Sequence, residues 1–263
     1  MSATGVAVRT AEPGTATVFA RAASAEWLRL RTVRTTWWCL LAAAVTIVGI
    51  GATAAFDGAQ EPAGPESTLP ATLAGEFGVL PGQFALLVLA LLAVTQEHAT
   101  GMIGPTLQWT PRRGVLLAAR VAVPVAVATV AGVLLALVAD VAAWFIAPEF
   151  TLSLADLADS LGRIAAVLAA GSLLAVGLGL LLRSTAGALA TVFLLQLVLP
   201  FLLPAFGVAW MSDLGRVLPG SGAVWTLLGE PDMTAVMATT LLAGWSAAAL
   251  AAGSWSLLRR DAG

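Results

Sequence analysis

Residues 115–147, VLLAARVAVPVAVATVAGVLLALVADVAAWFIA, form the longest apolar stretch of the chain. Only Arg120 and Asp140 interrupt this stretch with a charge. A bilayer core about 30 Å thick is crossed by about 20 apolar residues in a helix. The stretch therefore predicts a membrane-spanning helix that is too long for one crossing, so that its part before Arg120 extends into the cytoplasm.

Five further segments have the length and composition of membrane-spanning helices. The six predicted spans cover residues 36–56, 77–96, 115–147, 161–182, 185–206 and 234–258. Of the 263 residues, 59% are hydrophobic and 11% are charged, whereas soluble domains carry roughly 25% charged residues. The sequence therefore predicts an all-α, multi-pass membrane protein with one transmembrane domain over residues 36–258 and a short tail over 259–263.

The placement of charge predicts the orientation of these spans. Arginines precede span one, follow span six, and lie between spans two and three and between spans four and five; they are Arg9, Arg21, Arg29, Arg31, Arg34, Arg112, Arg113, Arg183, Arg259 and Arg260. The opposite loops are expected to hold Asp57, Glu61, Glu66, Glu76, Asp140, Glu149, Asp156 and Asp159, with only Arg163 and Arg216 near that side. The positive-inside rule then puts both termini in the cytoplasm.

Residue types that are rare in this chain exclude several function classes. There is no lysine, so the chain can form neither a P-loop nor a Schiff base. One cysteine, Cys39, and one histidine, His98, exclude an intramolecular disulfide and a Cys/His zinc cluster. The net charge of −2 gives no attraction for nucleic acid. We predict a non-catalytic chain without a metal, a cofactor or a nucleic-acid partner of its own.

The predicted span interiors contain few polar residues. Arg120, Asp140 and Arg163 fall near span ends, so that Gln196 is the one strongly polar residue near a midplane and Gln83 lies toward the outer side of span two. Proton- and sodium-coupled carriers use ionisable groups inside the membrane. The pattern disfavours a self-sufficient carrier and leaves the two glutamines as candidates for a substrate path.

Residues 1–16 have little hydrophobic content and are predicted to form a disordered tail. Residues 17–35, TVFARAASAEWLRLRTVRT, place Phe19, Trp27 and Leu30 at helical spacing among arginines. This spacing predicts an amphipathic helix in the inner membrane interface. The alternative is a plain basic anchor that orients span one.

The segment over residues 97–113 joins spans two and three on the cytoplasmic side. As a helix it would present one apolar face, although Gly104-Pro105 would kink or break it. Glu97 lies at its start and Arg112-Arg113 at its end. Two interpretations are equally compatible with this pattern: a contact surface for a soluble partner, or a loop whose apolar residues rest on the membrane.

The outer connection over residues 207–233 is apolar for a loop. We expect it to dip partway into the bilayer or to cap the protein, with its irregular backbone around Pro219-Gly220 covered by protein or water. Pro200 and Pro204 would bend the outer end of span five or mark its end.

Three stretches of the chain resemble the ABC-2 type permease subunits of bacterial ABC exporters, particularly the short actinobacterial ones. They are SAEWLRLRTVRTTWW (24–38), AVTQEHATGMIGPTLQWTPRRGVLLAAR (93–120) and LLRSTAGAL (181–189). Together with the six-span layout, the likeness covers nearly the whole chain from about residue 20. Two departures are Leu28, where the family often has lysine or arginine, and His98, where it often has tyrosine.

The resemblance implies roles for particular residues. Segment 97–113 would be a coupling helix that docks on an ATP-binding subunit through Glu97, His98, Met102, Ile103, Leu107, Arg112 and Arg113. Segment 19–34 would be the interfacial connecting helix beside it, with Glu26, Trp27, Arg29, Arg31 and Arg34. Segment 207–233 would correspond to outer re-entrant helices.

The resemblance further implies an exporter in the bacterial cytoplasmic membrane, built from two permeases and two ATP-binding subunits and surrounded by membrane lipids. The permease pair would be a homodimer or a heterodimer, and ATP and Mg would bind to the partner chains. The alternative function is a non-transporting membrane anchor or sensor that recruits a cytoplasmic partner. The transported substrate does not follow from the sequence.

Overall fold

The computed structural model describes residues 14–60, 69–100, 113–147, 149–229 and 233–260. Its helices are α1 (Thr15–Thr32), α2 (Arg34–Gln60), α3 (Leu73–Thr100), α4 (Arg113–Ile146), α5 (Leu154–Leu182), α6 (Thr185–Phe193), a π-helical turn (Leu194–Val198), α7 (Leu199–Ala205), α8 (Ala209–Arg216), α9 (Pro219–Leu228) and α10 (Ala235–Arg260). Within the described residues, six helical segments are long and apolar enough to cross a membrane. The prediction of an all-α, multi-pass architecture is confirmed.

Several acidic residues expected in outer loops lie within helices instead. Helix α5 begins at Leu154 because Ser153 caps it: the Ser153 hydroxyl accepts the N–H of Asp156 at 3.0 Å. The expected loop residues Asp156 and Asp159 are therefore helical. Glu76, also expected in a loop, lies in the first turn of α3. An acidic residue is favourable in a first turn, because the helix dipole is positive there.

Helices α3 and α5 form the centre of the bundle. The apolar windows of these two helices are 61% and 72% buried, whereas those of the other four spanning segments are 22% buried. Helix α3 packs against α2, α4 and α5, and α5 packs against α4 and α10. Since α2, α4, α6 and α10 lie around this pair, their outward faces are the ones available to lipid or to another subunit.

Helices α5 and α10 approach each other closely. A Cβ atom on Gly177 of α5 would lie 2.5 Å from the backbone of Ala249 and Leu250 of α10, so this contact requires glycine. The Ser246 hydroxyl donates to the carbonyl of Ala170 at 2.7 Å. Lipid chains are as apolar as the helices, so the hydrophobic effect does not drive the helices together within a bilayer. Small residues and hydrogen bonds between helices hold them together instead.

The fifth span is an interrupted helix. Helix α6 starts directly after Arg183, which takes a left-handed conformation (φ 52°), and its N-cap Ser184 accepts the N–H of Gly187 at 3.2 Å. The π-helical turn over Leu194–Val198 follows and ends two residues before Pro200. Because proline donates no backbone N–H, the regular α-helical hydrogen bonds between residues i and i−4 are interrupted here. The helix nevertheless continues past Pro200 and ends at Ala205, one residue after Pro204.

The connection between spans five and six forms two short helices. Helix α9 packs against α10, α5, the π-helical turn and α3, and a Cβ atom on its Gly220 would overlap the Gln196 carbonyl. Helix α8 is largely exposed. The irregular backbone predicted around Pro219-Gly220 is therefore the start of a helix that is covered by protein.

We call the end of the bundle that carries α1 and the α5–α6 turn the inner end, following the predicted orientation, and the opposite end the outer end. At the outer end the segments before α3 and before α5 are joined by backbone hydrogen bonds. The N–H of Ala71 donates to the Thr151 carbonyl at 2.9 Å, and the N–H of Thr151 donates to the Leu69 carbonyl at 3.1 Å. Phe150 and neighbouring alanines form a small apolar cluster beneath them.

Candidate functional site

The inner end is organised around helix α1. This helix ends where Val33 takes an extended conformation (φ −84°, ψ 122°), and the Val33 N–H donates to the Arg29 carbonyl at 3.2 Å. Helix α2 begins at the next residue, and the N–H of Thr36 donates to the Val33 carbonyl at 3.2 Å. A single non-helical residue thus separates α1 from the first spanning helix, and this fixes the direction in which α1 leaves the bundle.

The contact of α1 with the bundle is built on a buried carboxylate. The side chain of Glu26 is 8% exposed; its oxygens lie 2.8 Å from the Arg29 guanidinium and 3.3 Å from that of Arg120 in α4. Arg29 also donates to the carbonyl of Ala93 in α3. Glu26 is the only acidic residue of segment 17–35. One ion-pair network therefore joins α1 to both α3 and α4.

An apolar contact reinforces this network. Leu30, one helical turn after Glu26, is 5% exposed and packs with Cys39, Leu89 and Ala93. The packed face of α1 is therefore the one with Glu26 and Leu30. Phe19 and Trp27, which were predicted with Leu30 as apolar residues of an interfacial helix, are exposed, as side chains that contact lipid would be.

The remaining predicted residues, Trp27, Arg31 and Arg34, are exposed, and Arg34 is already the first residue of α2. Trp27 is 48% exposed, and the Arg31 guanidinium lies 5.9 Å from the centre of its ring, within range of a cation–π contact. Arg31 and Arg34 are exposed. Trp37 at the start of α2 donates its indole N–H to the Arg31 carbonyl at 3.0 Å. Exposed arginines and tryptophans suit an interfacial position beside lipid headgroups.

Most of the predicted coupling segment lies outside the described residues, including Met102, Ile103, Leu107 and Arg112. Glu97 and His98 belong to the last turn of α3, and Arg113 begins α4, but the side chains of all three also lie outside the described part. The two helices that lead into and out of the segment are the ones that α1 contacts, at Ala93 and at Arg120. The segment therefore joins two helices that are both attached to α1.

A second ionic cluster lies at the outer end. Glu76 of α3 is 2% exposed and accepts from the Arg163 guanidinium of α5 at 2.8 Å. Arg163 also pairs with Asp159 at 3.1 Å and donates to the carbonyl of Leu227 in α9 at 3.2 Å. The cluster joins three helices. In the sequence, this pair is indicated by two opposite charges close to the ends of two apolar spans, because charges inside membranes are nearly always paired.

Asp140 is the most deeply buried ionisable residue among those described. Its side chain is 0% exposed, and its Oδ1 accepts the backbone N–H of Gly75 at 2.7 Å. A Cβ atom on Gly75 would lie 2.6 Å from the same oxygen, so the contact requires glycine. Asp140, which was predicted near the outer end of span three and counted with the acidic residues of the outer loops, lies inside α4 rather than in a loop, and it faces the start of α3.

The two glutamines predicted to line a substrate path lie inside the single chain. Gln83 is 2% exposed and donates its side-chain N–H to the Leu80 carbonyl at 2.9 Å. Gln196 is 3% exposed and lies in the π-helical turn, where its amide nitrogen is close to the position that a Cβ on Gly171 would take. Within the described residues, neither side-chain oxygen has a hydrogen-bond donor. A transported molecule would reach either side chain only if neighbouring helices moved apart.

The described residues contain no cluster of histidine, cysteine and acidic side chains that could hold a metal ion. The chain matches no known protein family, and no curated protein matches it significantly.

Proposed function

We propose that this chain is the membrane-spanning permease subunit of an ATP-driven exporter of the ABC-2 type. The single observation that carries the proposal is the attachment of α1 to α3 and α4 through Glu26, Arg29 and Arg120. Segment 97–113 begins and ends on the same two helices. A force applied to that segment by a soluble subunit would therefore be passed to α1, α3 and α4 together.

The six spanning helices and the pair of short outer helices are consistent with this role. In the proposed mechanism, two permease chains enclose the substrate path and two ATP-binding subunits attach to their inner ends. ATP would bind the closed arrangement of these subunits more tightly than the open one, and this difference in affinity would shift the permeases between inward-open and outward-open states. The ATP and Mg sites belong to the partner, and the present chain contributes the docking surface and the path.

The first experiment is purification of the tagged chain from its native host in mild detergent, with mass spectrometry of the proteins that co-elute. A soluble protein with ATP-binding-cassette motifs in a fixed ratio to the chain is the expected result. A second copy or a paralogue of this chain would identify the permease pair as a homodimer or a heterodimer. If the pair is preserved and no such ATPase is found, the proposal fails and the non-transporting anchor or sensor takes its place.

The second experiment tests the docking surface with Leu107→Glu. A charge at the centre of an apolar contact is left without a partner when the contact forms, so we expect the variant to insert normally but to lose ATPase binding and export. Leu154→Glu is the matched control, because Leu154 is 86% exposed at the start of α5 and accepts the same change without loss of packing. Export by the Leu107 variant at the rate of the control would contradict the docking role of segment 97–113.

A further inference from the structure

A cavity of about 320 Å³ lies at the outer end, between α7, α8 and α9. Its apolar wall includes Phe201, Pro204, Val224 and Trp225. Cavities of a few hundred Å³ with apolar walls and a small number of polar groups are typical of ligand sites. The walls come from the end of span five and from the connection that follows it, so the cavity exists only because α9 folds back into the bundle.

The polar groups of the cavity are one guanidinium and two hydroxyl groups. Arg216 and Ser212 line it from α8, and Ser221 lines it from α9. The Ser221 hydroxyl already donates to the Gly215 carbonyl at 2.7 Å. Arg216 pairs with Asp213 at 3.5 Å, but both side chains are largely in water, at 50% and 72% exposure. Such an exposed pair contributes little. Because a guanidinium has five N–H donors, Arg216 can bind a phosphate group beside its protein partners.

The exposed side chains around the cavity indicate its depth in the membrane. Helix α8 exposes Trp210 and Leu214, and Val217 follows on the same side at helical spacing. Short helices with exposed apolar residues and polar residues on another face lie in the interface between headgroups and acyl chains. Phe201 on α7 is 56% exposed and continues this apolar surface toward the bilayer core. The cavity therefore opens at the boundary between headgroups and chains of the outer leaflet.

We propose that this cavity binds an anionic glycerophospholipid of the outer leaflet. The lipid phosphate is held by Arg216, for which a guanidinium is well suited because its planar N–H groups match phosphate oxygens. An acyl chain lies against Phe201, Pro204 and Val224. No carboxylate lines the cavity among the described residues, which favours an anionic headgroup over a cationic one. The proposal requires the predicted orientation but not the ATP-driven function.

The test uses the purified full-length chain in nanodiscs of zwitterionic lipid, doped with phosphatidylglycerol that carries a photoreactive diazirine in one acyl chain. After illumination, tagged peptides are mapped by mass spectrometry, with photoreactive phosphatidylcholine as the comparison. We expect tagging of residues 200–204 and 224–225 by phosphatidylglycerol. Arg216→Gln should lower this tagging at least about tenfold, the change expected for the loss of about 1.5 kcal/mol of hydrogen bonding to a charged group. Arg216→Lys should restore most of it.

Control variants make the result specific to this cavity. Arg31→Gln removes the same charge at the inner end and should leave tagging of the outer peptides unchanged. Val224→Trp fills the cavity and should remove their tagging by both lipids. Excess inorganic phosphate should not displace the lipid, since a free anion cannot use the apolar walls. Four outcomes would each overturn the proposal. Two concern Arg216→Gln: unchanged tagging, or an equal loss of tagging with both lipids. The other two are persistent tagging in Val224→Trp and displacement of the lipid by inorganic phosphate.

Discussion

Asp140 acts as a capping residue for a helix other than its own. The Gly75 N–H is in the first turn of α3, where backbone N–H groups have no acceptor within the helix. A neighbouring side chain usually supplies that acceptor, but here Oδ1 of Asp140, from α4, accepts it at 2.7 Å. The position at a positive helix terminus also favours a negative charge. This contact gives a physical reason for an acidic residue in an otherwise apolar span.

The cap can be tested by changing Asp140 in two ways. Asp140→Ala removes the acceptor and leaves the Gly75 N–H buried without a partner, which should cost about 1–3 kcal/mol of stability. Asp140→Asn keeps an oxygen acceptor of the same size and should remain within about 1 kcal/mol of the wild type. Thermal unfolding of the purified variants in detergent provides the comparison. Equal loss of stability in both variants would show that the charge matters rather than the hydrogen bond.

At the scale of elements, helix α1 is held to the bundle by charge as much as by apolar contact. Glu26 lies between Arg29 and Arg120, and Leu30 supplies the main buried apolar side chain of the helix. Removal of one partner from a buried ion pair is strongly destabilising, because the remaining charge is left uncompensated. The attachment of α1 should therefore depend on Glu26 more than on its exposed aromatic residues.

We expect Glu26→Gln to detach α1 while the spanning helices stay folded. Trypsin cleaves after arginine, and residues 21–34 contain Arg21, Arg29, Arg31 and Arg34. Cleavage at these four sites, mapped by mass spectrometry, should become at least about tenfold faster, as expected for a loss of more than about 1.4 kcal/mol. Asp57→Asn, which removes an exposed outer charge, is the control. The double variant Glu26→Gln/Arg120→Gln should recover part of the protection. Cleavage of Glu26→Gln at the wild-type rate would show that apolar contacts alone hold α1.

The orientation of the whole molecule makes a separate prediction. With Cys39 replaced by alanine, a new cysteine at Leu154 should react with a membrane-impermeant maleimide in intact cells, because Leu154 is 86% exposed at the outer end. A cysteine at the exposed residue Ala186, beside the α5–α6 turn, should react only after permeabilisation. The inverse pattern would reverse the assignment of inner and outer ends, and with it the proposed roles of segment 97–113 and of the outer cavity.

The amino-acid sequence predicts most accurately those properties that accumulate over many residues. Each spanning helix rests on about 20 apolar side chains, so that single exceptions such as Arg120 or Asp140 did not conceal the helices, and all six are present. The ends were less accurate, because a local contact decides them. Ser153, for example, starts α5 at Leu154, well before the predicted residue 161.

Within the candidate sites, the sequence identified residue types but not their partners. It indicated that segment 17–35 is helical and that Glu26 is important, yet the packed face of this helix carries Glu26 and Leu30 rather than Trp27. An amphipathic pattern shows that a helix has a polar side. Which side packs depends on the chemistry of the opposing helices, here a guanidinium from α4.

The sequence by itself determined the class of the protein, the number of spanning helices and the predicted orientation, because these follow from summed hydrophobicity and from the distribution of arginine. Only the tertiary structure decided that Glu76 pairs with Arg163, that Asp140 caps α3, and that α9 turns back to form the outer cavity. The first two of these contacts join residues more than 60 positions apart. A charge in an apolar span shows that a partner must exist, and the packing of the helices determines which residue it is.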